Sequence, residues 1–335
     1  MHLLHIAAHE PVGSIWNDLF RDALSRFGTL DVVAGGAGMT DAERARRIRE
    51  ADVLLTGWGA AAVPTELARE PGRLGYICHV TGGMRDMVPL EVIEAGIPVT
   101  NWGDAPADGV AEGAMALLLT VLKDLRHQTR VVESGGWGMD MGTHGGSLRG
   151  GRVGVYGCGA IGRRFVELLR PFGAEIAVFD PHAPTLPEGC RRVDSLEALF
   201  QGAQVVVIHA GLNDATRGSV TAALLAMLPR HGIVINTARG GIVDQDALFR
   251  ELASGRLRAG LDVLEPDSLP PDHPARGWEN LVLSCHRIEY PWPSFGEAPT
   301  RLTPMQEIAL ENIGRYAAGE PLRFRMTPER YALST

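Results

Sequence analysis

Cysteine is scarce in this 335-residue sequence, and its four copies (Cys78, Cys158, Cys190 and Cys285) are too far apart to form a CxxC pair. That spacing disfavours a zinc site and a disulfide framework, so a reducing, cytoplasmic setting is the expectation. Basic charge is short as well. The formal net charge is −8, whereas a nucleic-acid binder usually presents a basic face. No basic segment followed by an apolar run opens the sequence, so no signal peptide is expected. The most apolar stretch, residues 110–122, contains Glu112 and falls short of the roughly 20 apolar residues that span a bilayer. It reads as a buried helix, and no membrane partner is expected. Repeats and low-complexity segments are missing too. What remains, 45% hydrophobic and 21% charged residues, is ordinary globular composition. The length suggests two domains at roughly 100–200 residues each.

Short apolar runs alternate with helical patterns almost throughout, the signature of an α/β protein with parallel sheets. Among the first hundred residues, strands are predicted at 3–7, 30–34, 53–56, 75–80 and 98–101, with helices at 15–27 and 41–50. Apolar residues at Ala114, Met115, Leu118, Leu119, Leu122 and Leu125 predict one helix with a broad apolar face across 111–125. A glycine-rich loop, 134–151, carries Trp137 and His144. A second series of strands follows at 153–156, 176–179, 205–209, 233–236, 259–263 and 281–284. Six strands with intervening helices are what a full dinucleotide fold requires. One more helix is predicted at 303–318, and the proline-rich segments 266–274 and 291–299 read as loops.

The strand at 153–156 enters Gly157-Cys-Gly159-Ala160-Ile161-Gly162, a GxGxxG turn that opens a helix. The three glycines do different things. Gly157 permits the tight turn, Gly159 lets the backbone approach a pyrophosphate, and Gly162 allows close packing of helix on strand. The helix N-terminus then offers free N–H groups and partial positive charge to the phosphates. A second strand ends in Asp180, eighteen residues beyond Gly162. A carboxylate there accepts from the ribose hydroxyls of NAD and repels the 2′-phosphate of NADP. A bare glycine turn with a surface aspartate is the plain alternative, and the register of strand, turn, helix, strand and acid disfavours it. His182 reads as a turn residue.

Three later segments carry chemistry: Asn236-Thr237-Ala238-Arg239-Gly-Gly-Ile-Val-Asp244, then Gly260-Leu-Asp262-Val-Leu-Glu265-Pro-Asp267, then Leu281-Val-Leu-Ser-Cys285-His286. Reduction of a 2-oxo acid requires a cation for its carboxylate and carbonyl, and a proton donor at the carbonyl oxygen. Arg239 offers a planar, permanently charged fork. His286 can deliver or accept the proton near neutral pH, and a neighbouring carboxylate would favour the imidazolium and orient the ring. Both follow apolar strands, at the edge where doubly wound sheets bind ligands. A Cys285–His286 dyad is rejected because adjacent strand residues face opposite ways.

With Val110-Ala-Glu112 and the glycine turn, these segments resemble the D-isomer-specific 2-hydroxyacid dehydrogenase family across nearly the whole chain, including the ending 311–322. The resemblance implies two doubly wound parallel-sheet α/β domains. A Rossmann NAD-binding domain, residues 101–288, is inserted into a flavodoxin-like substrate domain, residues 1–100 and 289–335. It further implies hydride transfer between NAD(H) and a 2-oxo or D-2-hydroxy acid in a cleft whose closure excludes water, and a homodimer formed through the NAD domain. Arg239 is then the substrate anchor, His286 the acid/base, Asp267 its carboxylate partner, and Asp262 the group facing the nicotinamide carboxamide. Implied cofactor contacts are Gly157, Gly159, Ala160, Ile161, Gly162, Asp180, His209, Ala210, Gly211, Thr216, Thr237, Ala238, Arg239, Asp262 and His286. Implied substrate contacts are Thr81, Gly82, Gly83, Arg239 and His286, the first three within a loop, 80–84, whose N–H groups form an anion nest. Arg85 beside it reads as a solvated arginine. No metal is implied.

The sequence also departs from the family. Members usually carry Glu where Asp267 stands, one residue later relative to the arginine, so Glu265 competes for that role. Small residues usually follow the histidine, whereas this chain continues Arg287-Ile-Glu-Tyr-Pro-Trp-Pro-Ser294, and the usual proline is missing from the loop 209–213. A different class, an NAD-sensing binding protein like the related corepressors, shares the fold; retention of Arg239, His286 and a nearby acid favours the enzyme. Formate dehydrogenases pair the histidine with glutamine, which disfavours that relation.

Overall fold

The computed structural model describes residues 1–138, 145–288 and 301–333. His144 and the segments 289–294 and 291–299 lie outside them. The chain divides into two compact units, residues 1–106 with 291–335 and residues 107–290.

Unit 1 carries β1 (His2–Ile6), β2 (Thr29–Val33), β3 (Val53–Thr56), β4 (Tyr76–His79) and β5 (Val99–Thr100). All pairings are parallel, in the order β2-β1-β3-β4-β5, the flavodoxin-like doubly wound order. A parallel sheet is covered on both faces, so its strands read as continuous apolar runs; every residue of β3 and β4 is buried. Alternate side chains feed two cores. Leu4, Leu54, Ile77 and Val99 join one. Leu3, Val53, Leu55 and Tyr76 join the other, where the helix Pro304–Ala318 contributes Ala309 and Ile313. That late helix starts at a complete capping box between Thr303 and Gln306.

Unit 2 carries β6 (Arg152–Tyr156), β7 (Glu175–Phe179), β8 (Cys190–Arg192), β9 (Val205–Ile208), β10 (Gly232–Asn236), β11 (Leu257–Leu261) and β12 (Leu281–Leu283). They pair in parallel in the order β12-β11-β10-β9-β6-β7-β8, the Rossmann order with one strand added. The strand order reverses between β6 and β9, the crevice where such sheets take ligands. Helices Ala107–Leu122 and Ala160–Leu169 cover one face through Leu118, Phe165 and Val166. Helices Leu196–Gly202, Ala222–Met227 and Gln245–Ala253 cover the other through Leu199, Leu225 and Leu248. Ser195, Thr221 and Asp244 cap these three by accepting from the N–H three residues on.

Several expectations are corrected. A seventh strand, β8, stands at the sheet edge, where a Cys-Arg-Arg segment needs no apolar run to pair on one side only. The helix predicted over 15–27 is two pieces, a 3-10 turn Ser14–Trp16 and the helix Asp18–Ser25, because Asn17 stays extended and caps the second by accepting from Phe20. The helix predicted through Leu125 ends at Leu122. Asp124 turns left-handed (φ 56°) and its carboxylate accepts from the buried Arg258 at 2.8 Å, so Leu125 begins a new helix, Leu125–Glu133, and stays exposed. A short helix Pro328–Leu333 adds to the predicted set. Among the described residues, no helix is long and apolar enough to cross a membrane.

Two histidines are buried in unit 1. His5 donates from Nδ1 to Leu55 O at 3.0 Å and stacks on Trp16 with centroids 3.8 Å apart. Burial pushes His5 and His79 down from 6.5 to about 4. Between those values the unfolded chain takes up protons that the folded unit refuses, so stability falls on acidification. Each histidine contributes up to about 1.4 kcal/mol per pH unit in that window. The urea midpoint is therefore expected to drop from pH 7 to pH 5, and His79→Asn to flatten that slope by about one histidine's share. A slope unchanged in the variant removes His79 from this account.

Candidate active site

The glycine turn leaves β6 at the switch point. Gly157 takes φ 92°, and a Cβ there would lie 2.4 Å from the Ala210 nitrogen in the loop after β9. A Cβ on Gly162 would lie 2.2 Å from Gly157 O, so helix Ala160–Leu169 can seat against the turn only without a side chain. Gly159 differs: nothing lies within 4 Å of its virtual Cβ. It caps the helix without a side-chain bond, which leaves the first-turn N–H groups of Ala160, Ile161 and Gly162 open to an anion. Asp180, at the end of β7, grips the turn from the next strand. Its Oδ2 accepts from Cys158 N at 2.6 Å, and its Oδ1 accepts from His182 N at 2.8 Å and Ala183 N at 3.0 Å. A carboxylate has about four acceptor sites, so one stays available for a ribose hydroxyl.

Three buried polar atoms without a partner among the described residues sit just past strand ends on this edge: His209 Nε2 after β9, Thr237 Oγ1 after β10 and Ser284 Oγ after β12. Burial drives His209 down to about 3, so its ring is neutral. Orphaned polar atoms and an open glycine together fit a nicotinamide dinucleotide. Thr216 acts locally. Its hydroxyl donates to Gly211 O at 2.7 Å and accepts from Asn213 N at 2.8 Å, shaping the loop that bears Ala210 and Gly211.

The segment after β10 is organised by Asn236, to which the sequence pattern assigns no role. Its amide donates to Arg239 O at 2.9 Å and accepts from Ala238 N at 3.0 Å, an Asx turn. The Arg239 guanidinium donates to Ala238 O at 2.7 Å. Gly240 follows because a Cβ there would lie 2.1 Å from the Leu264 carbonyl carbon. That contact brings the segment 264–267 beside the arginine turn. There Asp267 accepts from Leu264 N through Oδ1 at 3.1 Å and meets His286 Nδ1 through Oδ2 at 2.5 Å. Glu265 turns its carboxylate toward Gly241, and its own backbone bonds Gln245.

His286 is not in a strand. β12 ends at Leu283, and His286 adopts φ 55°. Asp262 holds this bend: its carbonyl accepts from His286 N at 2.9 Å and its carboxylate from Arg287 N at 3.2 Å. Strand alternation therefore does not apply to the Cys285–His286 pair, a correction to the expectation; Cys285 is an exposed residue of that bend. On the other edge of the sheet, a cavity of about 700 Å³ is lined by strand-start residues such as Arg152, Val205 and Ile233 and contains none of these groups.

In unit 1, the loop 80–84 is held from behind by its carbonyls. Thr81 O accepts from Trp102 N at 3.3 Å, Gly82 O from Asn101 Nδ2 at 3.4 Å and Gly83 O from His79 Nε2 at 3.0 Å. Because Gly83 O can only accept, the neutral His79 carries its proton on Nε2, and Nδ1 accepts from the Thr56 hydroxyl at 2.9 Å. Thr81 is fully buried, with its hydroxyl 2.9 Å from His79 Nε2. The N–H groups of Gly82 and Gly83 meet no acceptor among the described residues. His79 is missed in the sequence because nothing in the pattern separates a buried, loop-holding histidine from a core residue. Arg85 is exposed, and its guanidinium also donates to Tyr331 O and Ala332 O.

The strand order and glycine turn of unit 2 define a dinucleotide-binding Rossmann domain. The family model for the D-isomer specific 2-hydroxyacid dehydrogenase NAD binding domain matches residues 115–287. Glyoxylate reductase of Aeropyrum pernix is 31% identical over 284 residues, 82% of each chain. D-3-phosphoglycerate dehydrogenase of Methanocaldococcus jannaschii is 29% identical over 277 residues, 82% of this chain; the match spans 52%, about half, of that relative. A D-isomer specific 2-hydroxyacid dehydrogenase of Xanthobacter autotrophicus, solved with NADPH and MES, superposes with TM-score 0.75 at 25% identity, covering 98% of this chain and 99% of that one. This chain belongs to the D-isomer-specific 2-hydroxyacid dehydrogenase family. Its reaction class is hydride transfer between a nicotinamide dinucleotide and a 2-oxo or 2-hydroxy acid.

The two glycines give a paired test of the cofactor cradle. Gly159→Ala meets open space, so stability should stay within about 0.5 kcal/mol while NADH affinity falls about tenfold or more. Gly162→Ala should instead cost about 2 kcal/mol of stability through backbone overpacking. Urea melts and NADH fluorescence titrations read both. Full NADH affinity in Gly159→Ala would sink the assignment.

Proposed function

We propose that the protein reduces 2-oxo acids with NADH and runs in reverse on D-2-hydroxy acids, with NAD preferred over NADP. The observation that carries this reading is the 2.5 Å contact between His286 Nδ1 and Asp267 Oδ2, beside the Asn236-built turn that presents Arg239. A dinucleotide whose pyrophosphate is held by the glycine turn would supply or take the hydride through its nicotinamide ring. Arg239 binds a substrate carboxylate and draws charge toward the carbonyl oxygen, a role that suits its permanent charge and planar fork. Asp267 engages Nδ1 of His286, which leaves Nε2 as the working nitrogen. In reduction Nε2 gives its proton to the carbonyl oxygen as hydride reaches the carbon; in oxidation it takes the hydroxyl proton back.

In this reading the free N–H groups of Gly82 and Gly83 receive the substrate carboxylate, and His79 is a positioning residue. Thr81 contributes backbone only, since its hydroxyl is turned to His79. Asp180 selects NAD by hydrogen-bonding the ribose and repelling a 2′-phosphate. Asp262 serves the nicotinamide side while holding the His286 bend. The protein works as a homodimer in this proposal, as members of the family commonly do.

His286→Ala is expected to lower kcat at least about a thousandfold and to leave the NADH Kd within about twofold. Stopped-flow turnover and fluorescence titration separate the two, and an equal loss of both takes His286 out of acid/base work. Asp180→Ala should narrow the NAD over NADP ratio of kcat/KM by about tenfold. A ratio that does not move assigns cofactor choice elsewhere.

A further inference from the structure

Two indoles flank the loop 80–84, and the chemistry above uses neither. β3, β4 and β5 are neighbours in one parallel sheet, so the turns leaving their carboxyl ends emerge side by side. Trp58 stands in the turn after β3. Ala60 N donates to Gly57 O at 2.9 Å and Gly59 takes φ 77°, so backbone and glycine close this turn without help from the indole. Trp58 is left 45% exposed. Trp102 follows β5, tied by its N–H to Thr81 O. Its ring lies so close over Gly82 that a Cβ there would be 2.3 Å from the indole. The two rings meet edge to face, centroids 5.4 Å apart at 89°.

This pair is an apolar wall built against the loop in which the N–H groups of Gly82 and Gly83 meet no acceptor among the described residues. Trp102 explains the glycine at 82. Trp58 belongs to neither core of unit 1, and the turn does not need it. Each indole of an edge-to-face pair keeps a flat apolar face at small entropic cost, the kind of face that recognises planar groups. In a 2-oxo acid the first carbon of the side chain is two bonds, about 2.5 Å, from the carboxylate carbon. A carboxylate on Gly82 and Gly83 therefore brings that side chain to the indoles.

We infer that Trp58 and Trp102 form the subsite for the substrate side chain, and that the preferred substrates are 2-oxo acids bearing an aromatic or similarly bulky, planar apolar group. This rests on the carboxylate role proposed for the loop. The small acids named in relatives such as the Aeropyrum pernix glyoxylate reductase would leave this wall unfilled.

The test follows NADH oxidation by the full chain with glyoxylate, pyruvate, phenylpyruvate and indolepyruvate. The aryl acids are expected to exceed glyoxylate in kcat/KM by about tenfold or more. Trp58→Ala should lower the phenylpyruvate value about tenfold, mainly through KM, and change glyoxylate less than about twofold; Trp58→Phe should restore most of the loss. Wild-type preference for glyoxylate, or an equal effect of Trp58→Ala on both acids, overturns this inference and leaves the proposed reaction standing. Turnover with none of the four acids overturns both.

Discussion

A buried parallel strand has to stop somewhere, and the peptide groups just beyond it still need partners. That constraint shapes every candidate site segment in this protein. At four strand ends a polar side chain captures a loop on the same sheet edge, either the one that follows it or that of a neighbouring strand. Asp180 holds the Cys158 N–H of the glycine turn. Asn236 folds the segment that bears Arg239, and Asp262 holds the bend at His286. His79 takes the Gly83 carbonyl. An unpaired buried peptide group costs on the order of 1–3 kcal/mol, so these captures are strong enough to define loop geometry. They also decide which groups are left over. In the loop 80–84 the carbonyls of Thr81, Gly82 and Gly83 are used from behind, and the N–H groups of Gly82 and Gly83 meet no acceptor among the described residues.

The same economy explains the glycines. At Gly162 and Gly240 a Cβ would strike neighbouring backbone, so these positions set how closely the helix after β6 and the segment 264–267 can approach. At Gly82 the neighbour is an indole. At Gly159 there is only space, and a glycine that no protein atom requires points to a ligand. One residue type thus marks both packing and binding, and only the surroundings separate the two uses.

Much of the fold is legible in the sequence because its cause is local or periodic. Short, largely apolar runs mark every named strand but one, GxGxxG marks the switch point, and a terminal acid marks the end of β7. The misses have identifiable causes. β8 is an edge strand without an apolar run, and the helix break at Asp124 depends on Arg258, a residue distant in sequence. Asn236 and His79 stay hidden because an asparagine in a motif and a histidine in an apolar strand show no role until their partners are in place. The competition between Asp267 and Glu265 likewise turns on where each carboxylate points, which spacing alone does not contain.

By itself, then, the sequence determined the class of architecture and the cofactor turn, and it singled out Arg239 and His286 as the candidates for binding a 2-oxo acid and moving its proton. Those follow from residue chemistry and short-range pattern. The tertiary structure decided that Asp267 meets His286, that Arg85 is tied to the last helix, and that Trp58 and Trp102 stand over Gly82. Each of these joins residues separated along the chain, and only packing of the intervening strands and helices brings such residues to hydrogen-bonding or van der Waals distance.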